Sequence, residues 1–295
     1  MWNKKSASFN VYNGISLSAV NRFKLIDILA DMSTVDESEI TVDSPVKFKF
    51  SSNEMNGAAV VSLDLQQDRY LDITVNICKK YINKTVLKQN ITATIKAMKA
   101  AGGKKRRLSN GDKQAIKKDA LEELYKTAPV VIKDAKMLYD TETGMLFANG
   151  FGNSFVDFNN LFSYSIRQVD NKDFSFVEID PLGNVKDKGQ LFTDLYSNKE
   201  VDVISTYLGS IEIGYEEDVD KLKKAKFQGD APGLLDNVKV LIESGSVLSC
   251  NIAFDNYAMK VSSTSTKLSG VKRTDETKLE YTDYNKIIET LLTVK

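Results

Sequence analysis

Histidine is absent from all 295 residues. That excludes Ser-His-Asp and Cys-His nucleophilic catalysis, histidine general bases and His-ligated zinc, and leaves carboxylate-metal and lysine chemistry open. Cysteine is scarce too. Cys78 and Cys250 lie far apart in apolar, strand-like contexts, so they read as two buried thiols and not as a metal or redox pair. There is no GxGxxG following a strand and no GxxxxGK[ST], which removes the glycine loops that cradle phosphates. Gly102-Gly103, just before Lys104-Lys105-Arg106-Arg107, reads instead as a helix end and turn. No apolar run approaches the ~20 residues that span a bilayer. The opening MWNKKSASFNVYNG also lacks the apolar stretch of a signal peptide. The expectation is a soluble cytoplasmic protein with no membrane partner. With 42% hydrophobic residues the chain is globular, and at about 150 residues per domain its length suggests two domains.

One stretch is short of charge of one sign. Lys84 to Lys118 holds eleven Lys or Arg against a single acid, Asp112. Because 40 basic residues balance 40 acidic ones over the chain, this stretch carries +10 and the remainder −10. Surface potential follows local charge density, so a concentrated basic segment attracts a polyanion even at zero overall charge. A face kept only for solubility interleaves Glu with Lys at i,i+4, and those partners are missing here. The stretch therefore points to phosphate contact with nucleic acid, the competing reading being a solvated helical face.

In chain order, 6–15 (SASFNVYNGI) predicts a short strand closed by Asn13-Gly14. A helix follows, capped by Ser16, with Leu17, Val20, Phe23, Ile26, Ile28 and Leu29 on its apolar face. VKFKF (46–50), AAVVSLDL (58–65) and LDITVNIC (71–78) predict an antiparallel meander, with Lys47 and Lys49 on one strand face. Asn83 caps a helix whose apolar line is Leu87, Ile91, Thr94/Ile95 and Met98. Ser109 and Asp112 announce a second helix, carried on by Ile116, Leu121, Leu124 and Ala128 until Pro129. The two make a hairpin with KKRR at its tip. Thr143-Gly144 reads as a β-turn between MLYD and MLFA. FVDF, LFSYSI, FSFVEI, LFTDLY and VDVISTYLGSIEIGY read as further strands or short helices.

Residues 200 to 220 carry Glu200, Asp202, Glu212, Glu216, Glu217, Asp218 and Asp220 and no base. The block either faces away from DNA, docks a partner's basic tip, or is simply solvated. Lys221, Lys223, Lys224 and Lys226 form a second basic patch. A helix over 234–245 ending in Gly245, strands VLSCNIAF and YAMKVSS, and a last helix NKIIETLL complete the chain.

This order of elements resembles the RdgC family of bacterial recombination-associated proteins. The residues carrying the resemblance are Trp2, Lys4, Val11 and Tyr12, KKDALEELYKTAP (117–129) followed by MLYDTETGMLFANG (137–150), AKFQG (225–229), ESGSV (243–247) and YAMKVSSTSTKLSGVKR (257–273). The resemblance runs along essentially the whole chain. It implies an α+β, horseshoe-like monomer, two of which close head to head and tail to tail into a ring around duplex DNA. Of a Lys-Gln pair the family places in its C-terminal half, Phe227-Gln228 keeps Gln228. An Arg-x-Phe pair after the second hairpin helix is replaced by Thr127 and Pro129.

The resulting expectation is an α+β fold of antiparallel sheets with packed helices and a projecting basic hairpin. Residues 1–82 and 130–215 form a central region, 83–129 the hairpin, and 216–295 a C-terminal region. The expected function is non-enzymatic: a homodimer binding double-stranded DNA without sequence preference, nucleoid-associated, needing no cofactor, and acting on a recombinase filament indirectly. The expected DNA contacts are Lys84, Lys88, Lys96, Lys99, Lys104, Lys105, Arg106, Arg107, Lys113, Lys117, Lys118, Lys223, Lys224, Lys226 and Gln228. Two alternatives stand beside it. One is a metal-dependent nuclease using Asp140, Asp157, Asp170, Glu178 and Asp180, with Asp170-Asn171-Lys172 in D-x-K order. The other is a regulator that binds a protein partner through the hairpin.

Overall fold

A computed structural model of the chain describes residues 2, 4–32, 34–50, 61–63, 69–101, 108–198, 200–207, 209–216, 222–229, 241 and 245–295. It is an α+β fold built on one antiparallel path of strands. The order is β11 (Leu222–Gly229), β10 (Gly209–Glu216), β12 (Gly245–Phe254), β13 (Tyr257–Ser262), β14 (Ser265–Arg273), β1 (Ala7–Asn13), β6 (Met145–Asn149), β5 (Val130–Asp140), β4 (Tyr70–Lys80) and β2 (Val46–Phe50). Four short strands lie off this path. β3 (Val61–Leu63) pairs with β4, β7 (Val177–Ile179) with β1, and β8 (Glu200–Val201) with β9 (Ile204–Thr206), which joins β12.

Side chains alternate across a strand, so β1 feeds two cores at once. Phe9 and Val11 point into one and Tyr12 into the other. On the Tyr12 side the sheet is covered by α1 (Ala19–Asp31) and α4 (Phe155–Asp170). Phe155, Phe158, Phe162 and Ile166 recur at three and four along α4 and are all buried. Phe158 meets Phe48, Phe151 and Phe162 at ring-centre distances of 5.6, 4.4 and 5.5 Å. The opposite core lies under α6 (Tyr281–Leu291) and α5 (Lys188–Asn198). There Tyr284 packs edge-on to Trp2 and Phe9, and its hydroxyl donates to the Trp2 carbonyl at 2.7 Å.

Two buried carboxylates are each paired with an arginine. The fully buried Asp140 carboxylate takes two hydrogen bonds from Arg69, at 2.8 and 2.6 Å, and others from Thr143 and Asn285. Burial by itself raises this carboxyl, and those donors more than reverse it, holding Asp140 below the usual carboxylate range. Asp283 is held low in the same way, its burial outweighed by Arg273, Tyr257 and the Glu280 N–H.

Several local expectations are corrected. Helix α1 is capped by Ser18 and not Ser16, and its inward line is Arg22, Leu25 and Leu29. Val20 and Phe23 are 63% and 51% exposed. Arg22 takes an inward place because its guanidinium reaches the Thr141 hydroxyl. The predicted meander is replaced by end-to-end pairing: β2 and β3 both pair with β4, Phe50 opposite Val75 and Val61 opposite Ile73. Eleven residues make β4 long enough to take both. FVDF and LFSYSI belong to one helix, α4, and LFTDLY lies in α5. The helix expected over 234–245 lies outside the described residues except Leu241, which is helical, and Gly245, which opens β12.

Candidate nucleic-acid interface

The basic hairpin is the connection of a long β-ribbon. β4 and β5 pair from Tyr70 opposite Asp140 to Lys80 opposite Val130, and the chain between Lys80 and Val130 leaves the sheet as two helices. The Tyr81 N–H donates to the Pro129 carbonyl at 2.9 Å and closes the base. Helix α2 (Lys84–Ala101) begins where the Asn83 side chain accepts from the N–H groups of Thr85 and Val86, at 2.9 and 3.4 Å. Helix α3 (Asn110–Thr127) begins with a reciprocal capping box between Ser109 and Asp112. At 1.5 Å per residue each helix runs about 27 Å. Residues 102–107, and with them Lys104, Lys105, Arg106 and Arg107, lie outside the described residues.

Helix α2 packs on α3 and buries no residue fully. Only Ile82, just before it, and its Leu87, Ile91, Ile95 and Met98 are half-buried; everything else from Tyr81 to Ala101 is exposed. On α3, Ile116 is buried and Leu121 and Leu124 are half-buried. At 3.6 residues per turn, Lys88 and Lys99 stand roughly a quarter turn from the apolar line of α2, and Lys96 stands nearer the opposite side of the helix.

Lys84, Lys88, Lys96, Lys99, Lys113 and Lys117 are all exposed. Among the described residues none has a carboxylate within ion-pair distance. Lys118 differs: it reaches Asp43 at 3.5 Å and Glu122 at 3.8 Å. Asp43 lies just before β2, so this contact is made on the β2 side of the ribbon. Three of the four acids of α3, namely Asp119, Glu122 and Glu123, sit in its second half toward the base, and the fourth, Asp112, is engaged in the capping box of its first turn. Positive charge is thereby concentrated toward the far end of the hairpin.

The second basic patch is placed elsewhere. β11 is at one end of the strand order and the ribbon is at the other. Lys224 is paired with Glu212 at 3.1 Å, and Lys226 lies opposite the same Glu212 in the β10–β11 ladder. Lys223 and Gln228 are described only as backbone of β11. The two patches are not neighbours along the sheet, a separation that charge counting along the chain does not reveal.

The five nuclease-candidate carboxylates are not brought together. Asp140 is tied to Arg69, and Asp157 lies in the first turn of α4. Asp170, at the other end of that helix, takes a hydrogen bond from Asn21 and pairs with Lys172 at 3.1 Å. Glu178 on β7 accepts from Asn10 and Thr266, and Asp180 pairs with Lys188. Among the described residues no three His, Cys, Asp or Glu side chains form a group able to hold a metal ion. Both cysteines are buried and free, and burial pushes the Cys250 thiol up to about 12. Among the described residues no helix is long and apolar enough to cross a membrane.

Sequence reasoning assigned no site role to Lys4, Lys133, Lys136 and Lys267, which border two cavities beside the ribbon. They are scattered singly along the chain, so only the sheet register assembles them. No family model matches the chain, and no curated protein matches it.

Proposed function

We propose that this protein binds double-stranded DNA without sequence preference, through the helical hairpin at the end of the β4–β5 ribbon. The observation that carries the reading is the row of exposed lysines on that hairpin, Lys84, Lys88, Lys96, Lys99, Lys113 and Lys117, with no acidic partner among the described residues. Lysines neutralising phosphates release condensed counterions, a source of affinity that needs neither a pocket nor a cofactor. An element of two helices about 27 Å long is rigid enough to carry that charge away from the sheet.

In keeping with the RdgC resemblance, the protein acts as a ring-like homodimer on the nucleoid and modulates recombination or the access of a recombinase filament to DNA. Lys118 and Lys224, already matched by Asp43 and Glu212, contribute less than the six unpaired lysines.

The test is incubation with labelled linear and closed-circular duplexes of unrelated sequence, with and without Mg²⁺. The expected result is a retarded complex on both, intact DNA throughout, and faster loss from linear than from closed-circular DNA. Cleavage that depends on Mg²⁺ refutes the binding-only reading, and absence of a complex at low salt refutes DNA binding itself. Sedimentation showing a monomer at micromolar concentration removes the ring.

A further inference from the structure

The antiparallel path has a notch beside the ribbon. β6 pairs with β5 only over Lys136–Tyr139 and with β1 only from Asn10 onward. It ends at Asn149, and Gly150 then turns away with φ of 92°. That glycine passes so close to β5 that a Cβ on it would lie 3.0 Å from the Asp134 carbonyl oxygen and 3.1 Å from the Ala135 Cα. Below this point, Val130 to Asp134 has β4 on one side and, among the described residues, no strand on the other.

This free edge reads Val-Val-Ile-Lys-Asp, and Val131 and Ile132 are 50% and 51% exposed. A β-branched edge without a covering element is a template for an added strand. The hairpin's Lys118–Asp43 contact lies on the other edge of the ribbon, beside β2.

Two cavities flank the notch, one on each sheet face. Lys133 and Lys136 are three residues apart on β5 and therefore point to opposite faces. The first cavity, about 530 Å³, has Tyr12 and Phe155 in its wall with Lys133 and Lys267 at its border. The second, about 260 Å³, is lined by Trp2, Ala7, Lys4 and Lys136. Asn149, the last residue of β6, borders both. Trp2 also buries an indole N–H that has no hydrogen-bond partner among the described residues.

We infer that this notch is a docking site for a short extended segment of a protein partner, added antiparallel to β5 as a continuation of β6, and that the segment is acidic. An added strand offers its backbone to the free edge and sends alternate side chains to the two faces, where a cavity waits on each. Charge selects the occupant. Lys4, Lys133, Lys136 and Lys267 have no carboxylate within ion-pair distance among the described residues. The acids nearby are already engaged, Asp134 by Asn76 at 2.6 Å and Glu178 by Asn10 at 2.7 Å. A phosphodiester backbone would satisfy the lysines, but it has no use for the open backbone edge of a strand.

The probe is a fluorescent ten-residue peptide in which Val and Thr alternate with Glu, followed by anisotropy against the full chain. Its partner probe is the same peptide with alternate amides N-methylated, which removes the donors of one edge. The expected result is saturable binding, weakened at least tenfold by N-methylation and at least tenfold by Lys133→Glu with Lys136→Glu. Peptide-dependent slowing of amide exchange should centre on 130–135, and the variant's melting curve should match the parent's. No binding at millimolar peptide overturns the inference, as does equal binding of the methylated peptide or of the charge-reversed variant. If duplex DNA displaces the peptide, and the double variant loses DNA affinity while keeping the peptide, the notch is a nucleic-acid surface and the peptide reading falls. DNA binding through the hairpin stands or falls separately, because neither Lys133 nor Lys136 belongs to it.

Discussion

The most discriminating perturbation removes charge from α2 and nothing else, by changing Lys84, Lys88, Lys96 and Lys99 together to Gln. Each of these side chains is exposed and without an ion pair among the described residues, so the free protein loses no internal contact that the structure records. Gln has nearly the helix propensity of Lys, and single exposed substitutions usually fall within about ±0.5 kcal/mol, so the melting temperature should hold. The effect belongs to DNA. If all four lysines meet phosphates, the slope of log affinity against log salt becomes shallower by about 3.6, at roughly 0.9 per contact on duplex DNA. Over a fourfold rise from about 50 to about 200 mM salt, the parent should then lose about 150-fold more affinity than the variant. Filter binding or anisotropy at four or five salt concentrations measures this. A parallel variant, Lys118→Gln with Lys224→Gln, should change the slope by less than about one, because both lysines are already matched by acids. An unchanged slope in the fourfold variant would falsify phosphate contact by α2. A slope change of similar size in both variants would mean that ion pairing in the free protein does not govern which lysines bind.

Three further outcomes probe the scaffold. Asp140→Asn strips Arg69 and Asn285 of their shared acceptor in the sheet interior and should lower stability by about 3 kcal/mol, read as an earlier urea midpoint; an unmoved midpoint would show that the pair is replaceable. Asp140 and Asp283 both have folded pKa values below the unfolded carboxyl value of about 4, so their contribution is complete above that pH and lost as pH falls through the folded values. Urea midpoints should accordingly drop below about pH 4, and drop less steeply in Asp140→Asn, whose stability must not rise on acidification if the sign is right. Phe158→Ala removes a fully buried ring from between Phe48, Phe151 and Phe162 and should cost about 3–5 kcal/mol, with equilibrium unfolding as the measure and a loss under about 1 kcal/mol as the contrary result.

What the chain determines by itself are the features set by neighbours in sequence. The hairpin is one. Asn83, the Ser109–Asp112 box and Pro129 mark its helix ends, its apolar residues recur at three and four, and its charge is a matter of composition. The turn at Gly144 and the alternating strands of the second half are legible for the same reason, since turn chemistry and period are local. Tertiary structure decided what depends on partners distant in sequence. Val20 and Phe23 look as apolar as Leu25 and Leu29, and only the sheet beneath α1 chooses the inward line, admitting Arg22 because Thr141 is there to receive it. β2 and β3 read as two rungs of a meander, and the length of β4 sets them end to end along one edge. The two basic patches look equivalent in the chain, yet the strand order sends them to opposite ends and the β10–β11 ladder neutralises Lys224 against Glu212. The notch beside β5 is the clearest case: it exists because β6 stops at Asn149 while its neighbour runs on, and no residue near either strand announces the mismatch, because register is a relation between segments and not a property of one.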